Sequence, residues 1–188
     1  AIILAGGFGT RLSHIVLDVP KPMAPVNDKP FLEYILDYLS EYDFTKIIIA
    51  VGYKSDSIKE YFRNSYKGIE IVYSEEDNPL GTGGAIKKAI LNCDDKEIFI
   101  FNGDTFFDVD LKEMKKVHKD SSCDISIAIK EMENFSRYGS VIIKNNRIIE
   151  FVEKQRMSKG KINGGVYLLN KKIFDNIKEE KFSFEQVV

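Results

Sequence analysis

The sequence predicts an α/β fold: a mostly parallel, Rossmann-like sheet flanked by helices, with an antiparallel extension along one side. Three observations carry this. Short apolar runs alternate with amphipathic stretches through the first two thirds of the chain. Gly and Pro cluster directly after the first apolar run. The last third holds strand-like runs with little helix between them. Alternating β and α segments bury a parallel sheet between helices.

Each element follows from its pattern. Ile2–Leu4 is an apolar run that stops at Gly6-Gly7. Residues 5–29 are rich in Gly and Pro and read as loop. Pro30 suits a helix N1 position. Phe31, Tyr34, Ile35, Tyr38 and Leu39 then recur at helical spacing on one face. KIIIAV over Lys46–Val51 is a buried-type strand. Ser57 and Glu60 have the spacing of a capping box, and Ile58, Tyr61 and Phe62 form the next apolar face. Ile69–Tyr73 is a strand, and Gly84–Leu91 a helix with Ala85, Ile86, Ala89 and Ile90 inward. EIFIF at Glu97–Phe101 is a strand and Leu111–His118 a helix. Asp124–Ile129, Gly139–Ile143, Ile148–Val152 and Gly164–Leu169 are the strands of the extension. Lys154–Lys161 is polar and reads as a mobile loop, and Tyr167 and Leu168 read as core.

Composition narrows the function. A chain of 188 residues fits one domain with a real core, here 1–188, and both ends read as trimmed. Net charge is −2, so no global basic field draws the chain to nucleic acid or an anionic membrane. No apolar run has the length of a membrane span, and no secretory signal is visible. Cys93 and Cys123 stand apart, as do His14 and His118, which argues against zinc or a disulfide framework and for the cytoplasm.

Leu4-Ala5-Gly6-Gly7-Phe8-Gly9-Thr10-Arg11-Leu12 follows the first strand. Glycines let backbone N–H groups approach an anion, and Arg11 adds a permanent charge. The segment reads as a phosphate loop or as a tight turn with an exposed Arg. It is no P-loop, and Leu12 occupies the third glycine position of a dinucleotide fingerprint. Pro20, Pro22 and Pro25 also fall where that motif's helix should run. Lys21 sits between two prolines on a stiff backbone, as a second phosphate contact or as a plain loop lysine. Asp104 follows EIFIF at the carboxyl end of its strand, where ligands gather in such sheets. Its lone carboxylate suits Mg²⁺, although Asn-Gly-Asp also forms turns.

LAGGFGTRL followed by PKPM (Pro20–Met23) resembles the signature of the sugar nucleotidyltransferases. GTGGA (Gly81–Ala85), NGDT (Asn102–Thr105), Glu153-Lys154 and NGGVY (Asn163–Tyr167) continue it in order. The later motifs look most like guanylyltransferases acting on mannose-type sugars, in particular on D-glycero-D-manno-heptose 1-phosphate. The resemblance implies that a sugar phosphate oxygen attacks the α-phosphorus of an NTP and pyrophosphate leaves. Arg11, Lys21 and Asp104 would be catalytic, with Asp104 holding Mg²⁺. A second Asp that completes the family's metal site is not found before Val188. Leu4, Ala5, Gly6, Gly7, Gly9, Thr10, Arg11, Glu76, Gly81, Thr82 and Gly103 would bind the nucleotide. Glu76 matches the N1–H and N2–H₂ donors of guanine, though Glu75 and Asp77 beside it also fit a solvated acidic loop. Gly139, Glu153, Lys154 and Asn163 would bind the sugar phosphate, against an exposed strand-end pair at 153–154. GTP and a sugar 1-phosphate are the expected partners, with a homo-oligomer open. Mannose 1-phosphate with GTP, or a hexose 1-phosphate with UTP, dTTP or CTP, are alternatives. A non-catalytic regulatory homologue is a third, disfavoured because Arg11, Lys21 and Asp104 are all present.

Overall fold

A computed structural model describes residues 1–7, 19–52 and 54–187. Its strands are β1 (Ile2–Leu4), β2 (Pro25–Val26), β3 (Lys29–Pro30), β4 (Lys46–Val51), β5 (Ser65–Tyr66), β6 (Ile69–Glu75), β7 (Glu97–Asn102), β8 (Ile125–Phe135), β9 (Ser140–Lys144), β10 (Arg147–Val152) and β11 (Met157–Asn170). Its helices are α1 (Phe31–Leu39), α2 (Asp56–Phe62), α3 (Gly81–Ala89), α4 (Leu111–Asp120) and α5 (Phe184–Val187).

Among the described residues, nine strands form one sheet in the order β10-β9-β11-β7-β1-β4-β6-β5, with β8 along β11. β7, β1, β4 and β6 are parallel neighbours. The chain steps from β1 outward to β4 and β6, then returns to the other side of β1 as β7. Strand order therefore reverses between β1 and β7, and a crevice opens at their carboxyl ends. β11 runs antiparallel to β7, β8 and β9, which is the expected extension.

Alternation along each strand divides the core. Ile3, Ile47, Ile49, Val51, Phe99 and Phe101 face α1, α2 and α4. Ile2, Ile48, Ala50, Ile98 and Ile100 face α3 and the aromatic cluster Phe174, Phe182 and Phe184. Successive side chains of a strand point to opposite faces, so near-continuous apolar runs mark strands covered on both sides. Asp110 caps α4, its carboxylate accepting from the N–H groups of Lys112 and Glu113 at 2.9 and 3.1 Å.

Several expectations are corrected. Pro30 caps α1 rather than opening it. The buried stripe of α1 is Leu32, Ile35, Leu36, Tyr38 and Leu39; Tyr34 is rotated outward, its hydroxyl donating to Val26 O at 2.9 Å. No capping box forms at α2. Ser57 lies inside the first turn and donates to Lys54 O at 3.1 Å. Tyr61 is exposed, with its hydroxyl on Glu33. α3 begins at Gly81, three residues before the expected start. Met157–Lys161, expected to be loop, belongs to β11, and β8 continues to Phe135. This ribbon is solvated, so its polar residues meet as cross-strand pairs such as Lys159–Glu133 and Lys161–Glu131 at 3.8 and 3.9 Å. His118 is buried, and Cys123 Sγ lies 3.5 Å from its Nδ1, so these two residues are not isolated in space. Among the described residues no helix is long and apolar enough to cross a membrane.

Candidate active site

The residues singled out around the phosphate loop gather at the carboxyl ends of β1, β4, β6 and β7. Leu4 lies level with Asn102 and with Ala50. Ala5 N–H donates to Ala50 O at 2.8 Å, and Gly103 N–H donates to Leu4 O at 2.9 Å. These bonds carry the Gly6-Gly7 segment and the Gly103-Asp104 turn out of the sheet on either side of the switch point. Gly9, Thr10 and Arg11 lie outside the described residues.

Lys21 occupies a short 3₁₀ turn whose next two residues, Pro22 and Met23, are buried. That anchoring presents the Lys21 ammonium to Asp104, and the two side chains form an ion pair. The pair spans 83 positions of sequence and keeps 38% and 40% of its side-chain surface exposed. The charges are thus held together yet open to a ligand. Thr105 donates to the other Asp104 oxygen at 3.2 Å. The donor set at Asp104 is a hard, partly exposed carboxylate. It fits Mg²⁺, which is commonly held by one or two carboxylates plus phosphate oxygens and water. Among the described residues no group of three or more His, Cys, Asp or Glu could hold a metal alone.

Glu76 is held at the far side of the same row of strand ends. Its N–H donates to Val51 O at 2.9 Å, and its Oε2 accepts from Leu80 N–H at 2.9 Å. A Cβ placed on Gly6 would lie 2.9 Å from Glu76 Oε1. The carboxylate is therefore packed against the glycine segment rather than loose in an acidic loop. Burial pushes its pKa up, against the Leu80 N–H bond and the Lys88 charge.

Gly81 and Thr82 have a further task. Gly81 adopts φ +73°, and a Cβ there would lie 2.5 Å from Phe182 O. Gly83 N–H donates to that same carbonyl at 3.0 Å, and Phe182 N–H donates to Leu80 O at 3.0 Å. Thr82 Oγ1 accepts from Phe184 N–H at 2.8 Å. The glycine-rich turn is thus a seat for residues 180–184.

The sugar-side candidates also converge. Gly139 O accepts from Asn163 N–H at 3.2 Å. Val152 pairs with Ser140, so Glu153 leaves β10 beside Gly139, with Lys154 next in the chain and both exposed. β11 breaks register between Asn163 and Tyr167. Gly165, at φ +73°, presses against Asn102, where a Cβ would lie 2.7 Å from its Nδ2. Asn163 turns its amide inward: Oδ1 accepts from Gly165 N–H at 2.9 Å and Nδ2 donates to Tyr167 Oη at 2.7 Å. Sequence reasoning did not find Glu185, which accepts from Tyr167 Oη at 2.9 Å. Its partner lies across the fold, so no local pattern marks it.

These features describe an α/β protein whose candidate site lies at the switch point of its parallel strands, walled on one side by an antiparallel ribbon. The nucleotidyl transferase family model matches residues 1–186, and the chain belongs to that family. It is 51% identical over 187 residues to the D-glycero-alpha-D-manno-heptose 1-phosphate guanylyltransferase of Aneurinibacillus thermoaerophilus, covering 99% of this chain and 81% of that protein. It is 50% identical over 188 residues to the protein of the same name from Campylobacter jejuni, covering 99% and 83%. The crystal structure of HddC from Yersinia pseudotuberculosis complexed with GMP-PN matches with a TM-score of 0.88 and 38% identity, covering 98% of this chain and 82% of that one.

Proposed function

We propose that the chain is a D-glycero-α-D-manno-heptose 1-phosphate guanylyltransferase, which joins GTP and the sugar 1-phosphate into GDP-heptose and pyrophosphate. The observation that carries this reading is the meeting of Lys21, Asp104 and the Gly6-Gly7 segment at the β1–β7 crevice, with Glu76 packed against Gly6. The two guanylyltransferases of about half identical sequence support the choice of substrates.

The reaction is an in-line displacement. A phosphate oxygen of the sugar 1-phosphate bonds to the α-phosphorus of GTP as the bond to the pyrophosphate oxygen breaks. Positioning and charge neutralisation dominate such transfers. Lys21 supplies a positive charge at the strand ends, and Arg11 supplies a second from the glycine loop. Neither has to donate a proton, because pyrophosphate leaves as an anion. Asp104 would hold Mg²⁺, which when bound neutralises phosphate charge. Glu76 accepts from guanine N1–H and N2–H₂, and the wrong base leaves its half-buried carboxylate unpaired. Gly139, Glu153 and Lys154 offer the heptose phosphate close backbone approach, a hydroxyl acceptor and a cation.

The test is pyrophosphate release, crossing GTP, UTP, dTTP, CTP and ATP with heptose, mannose and glucose 1-phosphates. Turnover is expected with GTP and the heptose phosphate. Faster release with another pair would move the assignment to that pair, and release with none would reject it.

A further inference from the structure

A partly buried polar network runs from the Gly81–Gly83 turn to the register break in β11. It begins at Thr82, whose hydroxyl oxygen accepts from Phe184 N–H and lies 3.4 Å from Glu185 Oε2. Ser183 Oγ donates to the same carboxylate oxygen at 3.1 Å. The other oxygen, Oε1, accepts from Tyr167 Oη at 2.9 Å, and Tyr167 Oη accepts from Asn163 Nδ2 at 2.7 Å. Asn163 Oδ1 then closes on Gly165 N–H, and Gly165 presses on Asn102, two residues before Asp104. Tyr167 is 1% exposed and its ring meets Phe184 edge to face at a centroid distance of 5.3 Å.

Such a network does more than fill space. The register break in β11 frees backbone groups from the ladder, and a side chain can take up those bonds. Here Asn163 does so, and its amide is in turn oriented by Tyr167. The tyrosine hydroxyl has one proton, and the Glu185 carboxylate can only accept. The direction of the whole chain of bonds is therefore set from the 180–185 segment, which is seated on the Gly81–Gly83 turn.

We propose that Tyr167 and Glu185 are positioning residues: their hydroxyl–carboxylate bond fixes the Asn163–Gly165 bulge against Asn102 and so aligns the sugar wall with the Lys21–Asp104 pair. The inference rests on the guanylyltransferase reading and deepens it. Neither residue touches the reacting atoms. They act through Asn163 and Asn102. Misplacement of a bound reactant by about 1 Å costs roughly 100-fold in rate.

Tyr167→Phe deletes the hydroxyl but leaves Glu185 bonded to Ser183. The sugar-side kinetics should therefore change alone. Steady-state kinetics of the whole chain with GTP and heptose 1-phosphate should show kcat/KM for the sugar phosphate falling about 10- to 100-fold, with KM for GTP within about twofold. Glu185→Ala should reproduce the sugar-side loss. Glu185→Gln keeps an acceptor for the tyrosine proton and should recover most of it. A structural role alone would lower Tm and leave these parameters near wild type, and that result would overturn the proposal. Equal loss on both substrates, or a Gln variant as impaired as the Ala variant, would overturn it too. If Tyr167→Phe does not fold, the Ala–Gln pair at Glu185 decides by the same comparison. A wild-type chain that transfers no GMP would instead reject the guanylyltransferase reading, and wild-type turnover separates the two failures.

Discussion

Glu76→Gln is the substitution whose outcome the structure constrains most tightly. Leu80 N–H, at 2.9 Å from Glu76 Oε2, needs an acceptor, and only the oxygen of a glutamine amide can serve. The amide NH₂ must then take the place of Oε1, on the Gly6 side. Guanine presents N1–H and N2–H₂, so donor would face donor. Losing a hydrogen bond to a charged acceptor costs about 1.5–3 kcal/mol, which is roughly 10- to 100-fold in specificity. The ratio of kcat/KM for GTP to that for UTP or dTTP should fall by about that factor, chiefly through GTP. Burial raises the Glu76 pKa, so its protonation favours the folded state. Its stabilising contribution is present below the unfolded pKa and is lost as pH rises through the higher folded one. The Gln variant should therefore gain Tm relative to wild type at neutral pH, and the gain should shrink in acid. Wild type should also lose GTP selectivity on acidification before an ordinary glutamate would protonate, whereas the variant should show no such loss. An unchanged nucleotide ratio in a folded Gln variant would refute the assignment of Glu76 to the base.

The remaining predictions concern the phosphates and the glycine turn. Arg11→Ala should lower kcat about 100-fold or more while Tm stays near wild type, the size seen when one transition-state donor is removed; near-normal turnover would take Arg11 out of the chemistry. EDTA should stop pyrophosphate release and excess Mg²⁺ should restore it, with Asp104→Asn needing about tenfold more Mg²⁺ for half-maximal rate. Metal-independent release would contradict the role given to Asp104. Gly81→Ala should destabilise by about 1–3 kcal/mol through its φ of +73° and the Phe182 carbonyl, lowering Tm by roughly 3–10 °C in a thermal melt. A melt superimposable on wild type would mean that residues 180–184 are not seated on the turn.

The fold was legible where one pattern had one cause. KIIIAV and EIFIF are covered on both faces, and they read as parallel strands because nothing polar interrupts them. Asp104 stood out by its place after EIFIF at the carboxyl end of a strand, and Lys21 by the prolines that bracket it, and the fold brings the two side chains together. Legibility failed where a residue type had two uses. Gly81 read as a nucleotide-binding residue through the GTGGA motif, and the structure gives Gly81 and Gly83 a packing use as well, against the Phe182 backbone and ring; the glycines hid the first turn of α3. The polar run 157–161 read as loop because its strand pairs in solvent, where period-two hydrophobicity has no core to serve. Glu185 was invisible for a different reason: besides nearby Ser183, its partners Tyr167 and Thr82 are 18 and 103 positions away.

β7 is the strand on which the two halves depend. One edge pairs in parallel with β1 and the other antiparallel with β11. Its end therefore carries Asp104 between the glycine segment and the sugar-side bulge. Glu76 leaves β6, three strand spacings or about 14 Å from β7. On the proposed reading, base recognition and phosphate chemistry therefore fall to residues on different strands, and among the described residues Glu76 and Asp104 have no hydrogen-bond partner in common. Substitutions at such separated sites combine almost additively. Base preference can accordingly change at the β6 end while the β7 end keeps its charge pair. On the same reading sugar preference has no such independence, because Gly165 in the bulge rests directly on Asn102. Glu76→Gln combined with Tyr167→Phe should therefore show additive losses, whereas Asp104→Asn combined with Tyr167→Phe should not. Additivity in both pairs would mean that the bulge does not communicate with the reacting centre.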